Sequence, residues 1–272
     1  AGWQYVFFVM GACGIVFSAI WLKVIYSPRN HPNINAAELD YIGNNGGLIN
    51  MDSPNVKKTK PTFSHVRYLL SSRMLLGVYF GQYCINAITY FFLTWFPVYL
   101  VQEHNMTILK AGIVASLPAI CGFIGGILGG VISDTFLRKG YSLSVARKTP
   151  IVVGLLLSTS ILVCNYIDTQ WMVIAFMALA FFGKGLGALG WAVVSDTSPK
   201  QIAGLSGGLF NTFGNVASIT TPIIIGYIVT ATGSFEWALV YVAANAALAV
   251  FSYLFIVGKI ERVELPATAT NP

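Results

Sequence analysis

Charge is the scarcest property of this 272-residue sequence. Lys, Arg, Asp and Glu together make up 10% of it, where an average soluble domain carries roughly 25%. Too few charges remain to wet the surface of a water-soluble body, and the apolar set reaches 56%. Cysteine is sparse as well: Cys13, Cys84, Cys121 and Cys164 all fall inside apolar runs. They show neither a disulfide framework nor a metal-ligand spacing, and read as small buried hydrophobes. The three histidines, His31, His65 and His104, lie apart in polar connectors. No metal and no cofactor is expected. These scarcities exclude disordered, collagen-like and disulfide-stapled secreted chains. They leave an all-α polytopic membrane protein.

What the chain does have is apolar length. Seven stretches reach the roughly 20 residues needed to cross a bilayer. They run at approximately 3–25, 71–101, 108–133, 149–167, 171–195, 204–231 and 236–258. Several are longer than that minimum, which implies tilt or helix continuing past the lipid. The long polar segment at 26–66 is rich in Asn and Pro and carries Lys57, Lys58 and Lys60. A short helix around Ala36–Tyr41 is expected there, with linker around it. Residues 265–272 read as a disordered tail.

The net charge of +6 suggests nucleic acid until the cations are placed. Lys23, Arg29, Lys57, Lys58, Lys60, Arg67 and Arg73 flank the long connector. Arg138, Lys139, Arg147 and Lys148 lie between spans three and four, Lys200 follows span five, and Lys259 and Arg262 follow span seven. In a strictly alternating topology these share one side, Lys110 is alone on the other, and Lys184 is inside span five. The positive-inside rule makes the crowded side cytoplasmic. The basic balance therefore reports orientation, and no nucleic-acid partner is expected. Ala1 then starts outside and the C-terminus is cytoplasmic. With no initiator Met and no signal peptide, one span, a long loop and six spans read as a truncated protein. Five more spans upstream would complete six plus six.

Polar groups in hydrocarbon are functional hypotheses by default. Lys184 lies about twelve residues from either end of its span, roughly 18 Å of helix at 1.5 Å per residue, too far for its stem to snorkel to water. A central Lys costs about 3 kcal/mol on insertion scales, which calls for an aqueous cavity or an anion. Bonding to neighbouring helix carbonyls, or a neutral amine, are the structural alternatives. Gly183, Gly185 and Gly187 leave room beside it. In span two, Tyr79, Gln82, Tyr83, Asn86 and Tyr90 share one helix face; their amides and hydroxyls suit a cavity wall or helix–helix bonds. Span six carries Asn211 and Asn215, one turn apart, and Thr221 and Pro222, which allow a kink. Trp191 fits either a sugar face or the membrane interface. Gly122, Gly125, Gly126, Gly129 and Gly130 mark close helix approach. Asp134 and Asp196 sit at span ends, so no acid lies deep in any span. That argues against an intramembrane hydrolase, and no enzyme is expected.

Several separated segments carry a family resemblance. GGVISDTFLRKG (129–140) followed by Ala146, Arg147 and Lys148 resembles the signature loop of the major facilitator superfamily, with Thr135 where many members have Arg. In it Asp134 at a helix end accepts from neighbouring helix N-termini, while Arg138, Lys139 and Arg147 hold the cytoplasmic face shut as a gate. FFLTWFPVYLVQE (91–103), GALGWAVVSDTSP (187–199), GLSGGLFNTFGN (204–215) and AELDYI (37–42) are similar to the bacterial anion:cation symporters, closest to their hexarate branch, the D-glucarate and galactarate transporters. The resemblance implies twelve helices, of which this chain supplies the sixth to the twelfth. Residues 1–25 would end the N-terminal half, 26–66 form the central cytoplasmic loop, 67–260 the C-terminal six-helix domain and 261–272 a cytoplasmic tail. It further implies proton-coupled uptake of sugar-acid anions by alternating access in the bacterial inner membrane. The matches to Gln82, Trp191 and Asn211 line the substrate cavity in relatives, and the proton-coupling acids belong to the missing N-terminal half. Lys184 would then meet the second carboxylate of a hexarate. A transporter for another anion (hexonate, hexuronate or phosphate-like) is an alternative. A seven-helix receptor is disfavoured, because Lys184 is on the fifth span and lacks a carboxylate counter-ion.

Overall fold

A computed structural model describes residues 2, 4–44, 47, 49 and 62–265. Ala1, the cluster Lys57, Lys58 and Lys60, and the tail from 266 onward lie outside the described residues. The chain divides into two compact units, Ala1–Lys58 and Thr59–Pro272. Among the described residues there is no strand.

The first unit holds α1 (Gln4–Val24) and α2 (Ala36–Asn44). α1 is apolar on every side and buries none of its residues, the pattern of a helix meant for lipid or for other helices. α2 starts where expected because Asn35 caps it: its Oδ1 accepts the Glu38 N–H at 2.7 Å, which satisfies one of the orphan donors of the first turn.

The second unit is a helical bundle. Its elements are α3 (Phe63–Ser71), α4 (Arg73–Gln102), α5 (Ile108–Arg138), α6 (Leu143–Tyr166), α7 (Gln170–Thr197), α8 (Lys200–Thr232) and α9 (Glu236–Ile256). α1 and α4 to α9 account for the seven expected spans. α3 was not expected from its polar composition. The Thr62–His65 pair starts it, the Thr62 N–H donating to His65 Nδ1 at 3.0 Å in a capping-box arrangement. α4 packs between α8 and α9, while α7 packs on α5 and α6. The fully buried Tyr79, Phe91, Phe96, Phe210, Phe235 and Tyr253 fill the interior. Half of α4, α7 and α9 is buried, against 22% of α5 and α8. The last two therefore present broad apolar faces for lipid or further helices.

The α5–α7 seam is made of backbone. A side chain at Gly125 would strike the Phe182 carbonyl, one at Gly129 the Leu186 carbonyl, and one at Gly185 the Gly122 carbonyl. Gly154 and Gly183 meet in the same way between α6 and α7. Small residues permit this approach, where van der Waals contact replaces the hydrophobic drive absent in lipid. The stripe splits, however: Gly126 only grazes α7, and Gly130 faces open space.

At the end carrying the cations, the chain leaving α9 crosses the bundle as a strap. After Gly258, at φ +59°, the Ile260 N–H donates to Ser144 Oγ at 2.7 Å and the Val263 N–H to the Thr197 carbonyl at 2.8 Å. Tyr68 Oη–H donates to the Glu264 carbonyl at 2.7 Å. Residues 261–264, the start of the expected cytoplasmic tail, are thus docked on the bundle, and of the stretch read as disordered, 265–272, only Leu265 lies among the described residues. The opposite end is tied by contacts that include no ion pair among the described residues, with His104 Nε2 3.0 Å from Tyr99 Oη and the Phe235 N–H on Glu103 Oε1 at 3.2 Å. Burial lowers the His104 imidazole below its ordinary pKa, against the opposing pull of Glu103 and Asp168. It favours the neutral form, and so adds little to the positive charge of Lys110 at that end.

Candidate functional site

The polar stripe of α4 faces α8, which runs parallel to it. Tyr79 Oη lies 2.8 Å from Ser206 Oγ in a fully buried pair. Further along, the Trp95 Nε1–H donates to the Pro222 carbonyl at 3.2 Å. Both rungs join residues 127 apart in sequence, so one register holds over four turns of helix. Tyr83 Oη adds a bond to Thr220 Oγ1 at 2.9 Å. Between the rungs, Gln82 Nε2–H donates to Asn86 Oδ1 at 3.4 Å, and both amides are wedged against Gly214, where an added Cβ would strike Asn86 Nδ2. The tyrosine hydroxyls therefore serve helix packing, while the half-buried amide pair keeps unused donors and acceptors. Tyr90 is half-buried, and its carbonyl accepts from Thr94 Oγ1 at 2.6 Å.

α7 holds the feature that sequence reasoning missed. Its helix stops at Leu186, turns through Gly187–Leu189 and restarts at Gly190. Ahead of the break, the N–H groups of Gly187 and Ala188 still bond back to the Gly183 and Gly185 carbonyls. Past it, the N–H groups of Leu189, Gly190, Trp191 and Ala192 have no hydrogen-bond partner among the described residues. A helix N-terminus inside the bilayer carries partial positive charge, and non-helical backbone at that depth is tolerated where it lines a cavity. Gly190 lies against the amide pair: a Cβ there would come within 3.0 Å of Gln82 Oε1. Trp191 is 57% exposed, edge-on to Phe210 at 5.0 Å and beside Gly207. Its exposed ring is free to stack on a ligand. Four glycines within eight residues (183, 185, 187 and 190) were the available signal for this break.

Lys184 lies one turn before the break and midway along α7. It is half-buried, its Nζ stands 5.2 Å from the Phe181 ring centroid, and it has no hydrogen bond or ion pair among the described residues. The carbonyl-bonded alternative is therefore not what the structure adopts. Phe181 itself packs on Phe92 of α4, ring centroids 4.5 Å apart. Asn211 and Asn215 are exposed on α8, with side chains free of hydrogen bonds among the described residues. The bundle thus gathers Gln82, Asn86, Trp191 and the helix break into one wall, and sets Lys184, Asn211 and Asn215 near the same helices without bonding them to it. A cavity of about 540 Å³ lies elsewhere, between Tyr227, Trp237 and Tyr241 of α8 and α9, and contains none of these residues.

At the basic end, Arg147 of α6 collects three partners. Its Nε–H donates to Asp196 Oδ2 of α7 at 2.8 Å, its Nη1 to Ser133 Oγ of α5 at 2.9 Å, and Nη1 lies 3.5 Å from Asp134 Oδ1. Only 13% of the Arg147 side chain is exposed and 26% of Asp196, so their charge-assisted bond is largely shielded from solvent, while Asp134 is 63% exposed. Arg138 and Lys139 are exposed and form no ion pair among the described residues. The clamp is therefore Arg147 with Asp134, Asp196 and Ser133, and Asp134 pairs with a side chain where helix N-termini were expected. Asp196, 49 residues from Arg147 in sequence, was legible only as an acid at a span end.

Comparison with known proteins agrees with this architecture. The chain is 63% identical over 272 residues to a "Probable galactarate/D-glucarate transporter GudP" of Bacillus subtilis (strain 168), covering 100% of this chain and 60% of that protein. It is 62% identical over 271 residues to the GudP of Escherichia coli (strain K12), covering 98% and 60%. The chain thus spans about three-fifths of the length of these relatives. Among solved structures, a bacterial homolog of the human lysosomal transporter Spinster, inward-facing and unoccupied, superposes with a TM-score of 0.50 at 18% identity, over 94% of this chain and 57% of that one; this likeness concerns the fold alone. The profile described as Major Facilitator Superfamily matches residues 1–144, more than half of the sequence, and the chain belongs to that superfamily.

Proposed function

We propose that this chain is the C-terminal part of a secondary transporter that takes up sugar diacids of the D-glucarate/galactarate class with protons, by alternating access. In this reading residues 1–25 close the first half, 26–66 form the central loop, 67–260 the second six-helix half and 261–272 the tail. The membrane is the bacterial inner membrane, and the cation-rich end, including the C-terminus, is cytoplasmic by the positive-inside rule. The partners are the sugar-acid anion, the proton, the lipid bilayer and the other half of the transporter. No resident cofactor or metal and no chemical step is required.

The observation that carries the reading is the break in α7. It supplies the unbonded N–H groups of a helix start beside the Gln82–Asn86 amides, the arrangement by which transporters hold anionic groups near mid-membrane. Lys184, one turn away and unpaired among the described residues, supplies a full charge for a carboxylate. Gln82, Asn86 and Asn211 offer bonds to hydroxyls, Asn215 a further amide, and Trp191 an apolar face; Tyr79 and Tyr83 hold the wall in place. Arg147, with Asp134 and Asp196, closes the cytoplasmic end of α5, α6 and α7 as a gate, and Arg138 and Lys139 border it.

Replacing Lys184 by Met in the full-length transporter tests the charge. Uptake of labelled D-glucarate should fall by two orders of magnitude or more, since a lost bond to a buried charge is worth about 3 kcal/mol, while membrane expression stays intact. Unchanged uptake at unchanged apparent affinity rejects the role of Lys184. In a competition panel, hexarates should outcompete hexonates and hexuronates, and equal competition would favour the broader anion transporter.

A further inference from the structure

The strap at the basic end covers a cavity of about 380 Å³ that the transport reading does not use. It is lined by Ser72 and Arg73 at the start of α4, by Phe255 at the end of α9, and by Lys259, Glu261 and Arg262 of the strap. Three cations and one acid therefore face one cleft. Arg73 donates from Nη2 to the Phe255 carbonyl at 2.8 Å. Arg262 donates to the Ser198 and Ser195 carbonyls at 3.2 and 3.3 Å. Each guanidinium is thus anchored by neutral acceptors and has no ion-pair partner among the described residues. Lys259 pairs with Glu261 at 3.1 Å, but both side chains are mostly exposed, 80% and 63%, and such a pair yields readily to a competing anion. The first turn of α4 adds the partial positive charge of a helix N-terminus.

The wall just outside the cleft is apolar and uncovered. Phe255 is 61% exposed and Phe251 51%, their rings 5.0 Å apart, and Leu254 next to Phe255 in sequence is exposed as well. A charged cleft at the end of a membrane span that opens onto an aromatic strip fits a ligand with a phosphate at one end and hydrocarbon at the other. We propose that this cleft binds the phosphate of an anionic phospholipid, whose chains lie along Phe251 and Phe255. The strap would then be secured to the bundle both by its own hydrogen bonds and by the lipid it encloses. The proposal is independent of the transported substrate.

Native mass spectrometry of the full-length transporter, titrated with phosphatidylglycerol or phosphatidylcholine, provides the test. Phosphatidylglycerol should bind at one saturable site at least tenfold more tightly. Lys259→Gln should weaken it about fivefold, the effect of one basic residue near an anionic headgroup, and Glu261→Gln should strengthen it by a similar factor. Both positions are exposed, so neither variant depends on rescuing the fold. Equal binding of the two lipids, or indifference to both substitutions, overturns the proposal. Displacement of phosphatidylglycerol by millimolar inorganic phosphate alone would overturn the lipid assignment in favour of a free-phosphate site.

Discussion

Two of the seams within the second unit are built from different materials. Between α5 and α7 the helices meet backbone to backbone through Gly122, Gly125, Gly129 and Gly185. Between α4 and α8 they meet through hydroxyls, an indole and an amide pair. The first seam offers nothing to a ligand, since glycine carries no side chain and each close contact excludes everything else. The second seam is the one that a polar guest can share, because its rungs leave the Gln82 and Asn86 amides with spare bonds. Where two helices only need to hold, small residues suffice; under the proposed function, the seam that also serves a ligand is the polar one. The break in α7 joins the two, with its glycine-rich N-terminal segment on the first seam and Gly190 beside the second.

The sharpest way to break this contrast is to add bulk to the glycine seam. Gly185→Val would drive a branched side chain into the Gly122 carbonyl, which is backbone and cannot step aside. Overpacking of this kind costs about 3 kcal/mol or more, and little monodisperse protein should survive mild heating in detergent. Gly130→Val is the matched control, since nothing lies within 4 Å of its added Cβ, and its thermal stability should stay at the wild-type value. Equal loss in both variants would show that the seam is not what the glycines serve.

The polar seam should respond more gently. Tyr79→Phe leaves the Ser206 hydroxyl buried without its partner, and Ser206→Ala does the reverse; each should cost about 1–2 kcal/mol. Together they should cost less than the sum, with a coupling of about 1 kcal/mol in a double-mutant cycle of thermal or denaturant stability. Strict additivity would mean that the two hydroxyls are satisfied elsewhere and that the rung does not hold α4 to α8.

Much of this contrast was legible in the sequence, for physical reasons that also explain the rest. A span announces itself by about 20 apolar residues, and α4 to α9 began or ended within a few residues of expectation. The main departures were the start of α6 at Leu143 and the extension of α5 to Arg138, where polar residues continue a helix beyond the lipid. The α4 stripe was legible because helical spacing puts Tyr79, Gln82, Tyr83 and Asn86 on one face. Which of them are taken up by helix packing was not, since that depends on Ser206 and Thr220, more than a hundred residues away. The break at Gly187–Leu189 escaped notice because hydropathy does not change across it; only the glycine density does. The Arg147–Asp196 bond and the docking of Ile260 and Val263 are long-range contacts between polar residues with no periodicity to expose them.

Asn211 gives the finest test, because packing and ligand binding make opposite claims on it. It sits on the same helix as Ser206 and Gly214, yet its side chain is exposed and has no hydrogen bond among the described residues. Removal of an exposed, unbonded amide should change stability by no more than about 0.5 kcal/mol. If the amide meets a hydroxyl or carboxylate of the sugar acid, Asn211→Ala should weaken apparent affinity about tenfold, as the loss of one hydrogen bond to a charged ligand does. Measured in the full-length transporter, the two readouts then separate: uptake falls while the yield of folded protein does not. A parallel fall in both would move Asn211 from the ligand's side of the wall to the helix-packing side. It would also confine the polar contribution of α8 to Ser206 and Thr220, leaving the amide pair of α4 and the broken helix as the binding surface.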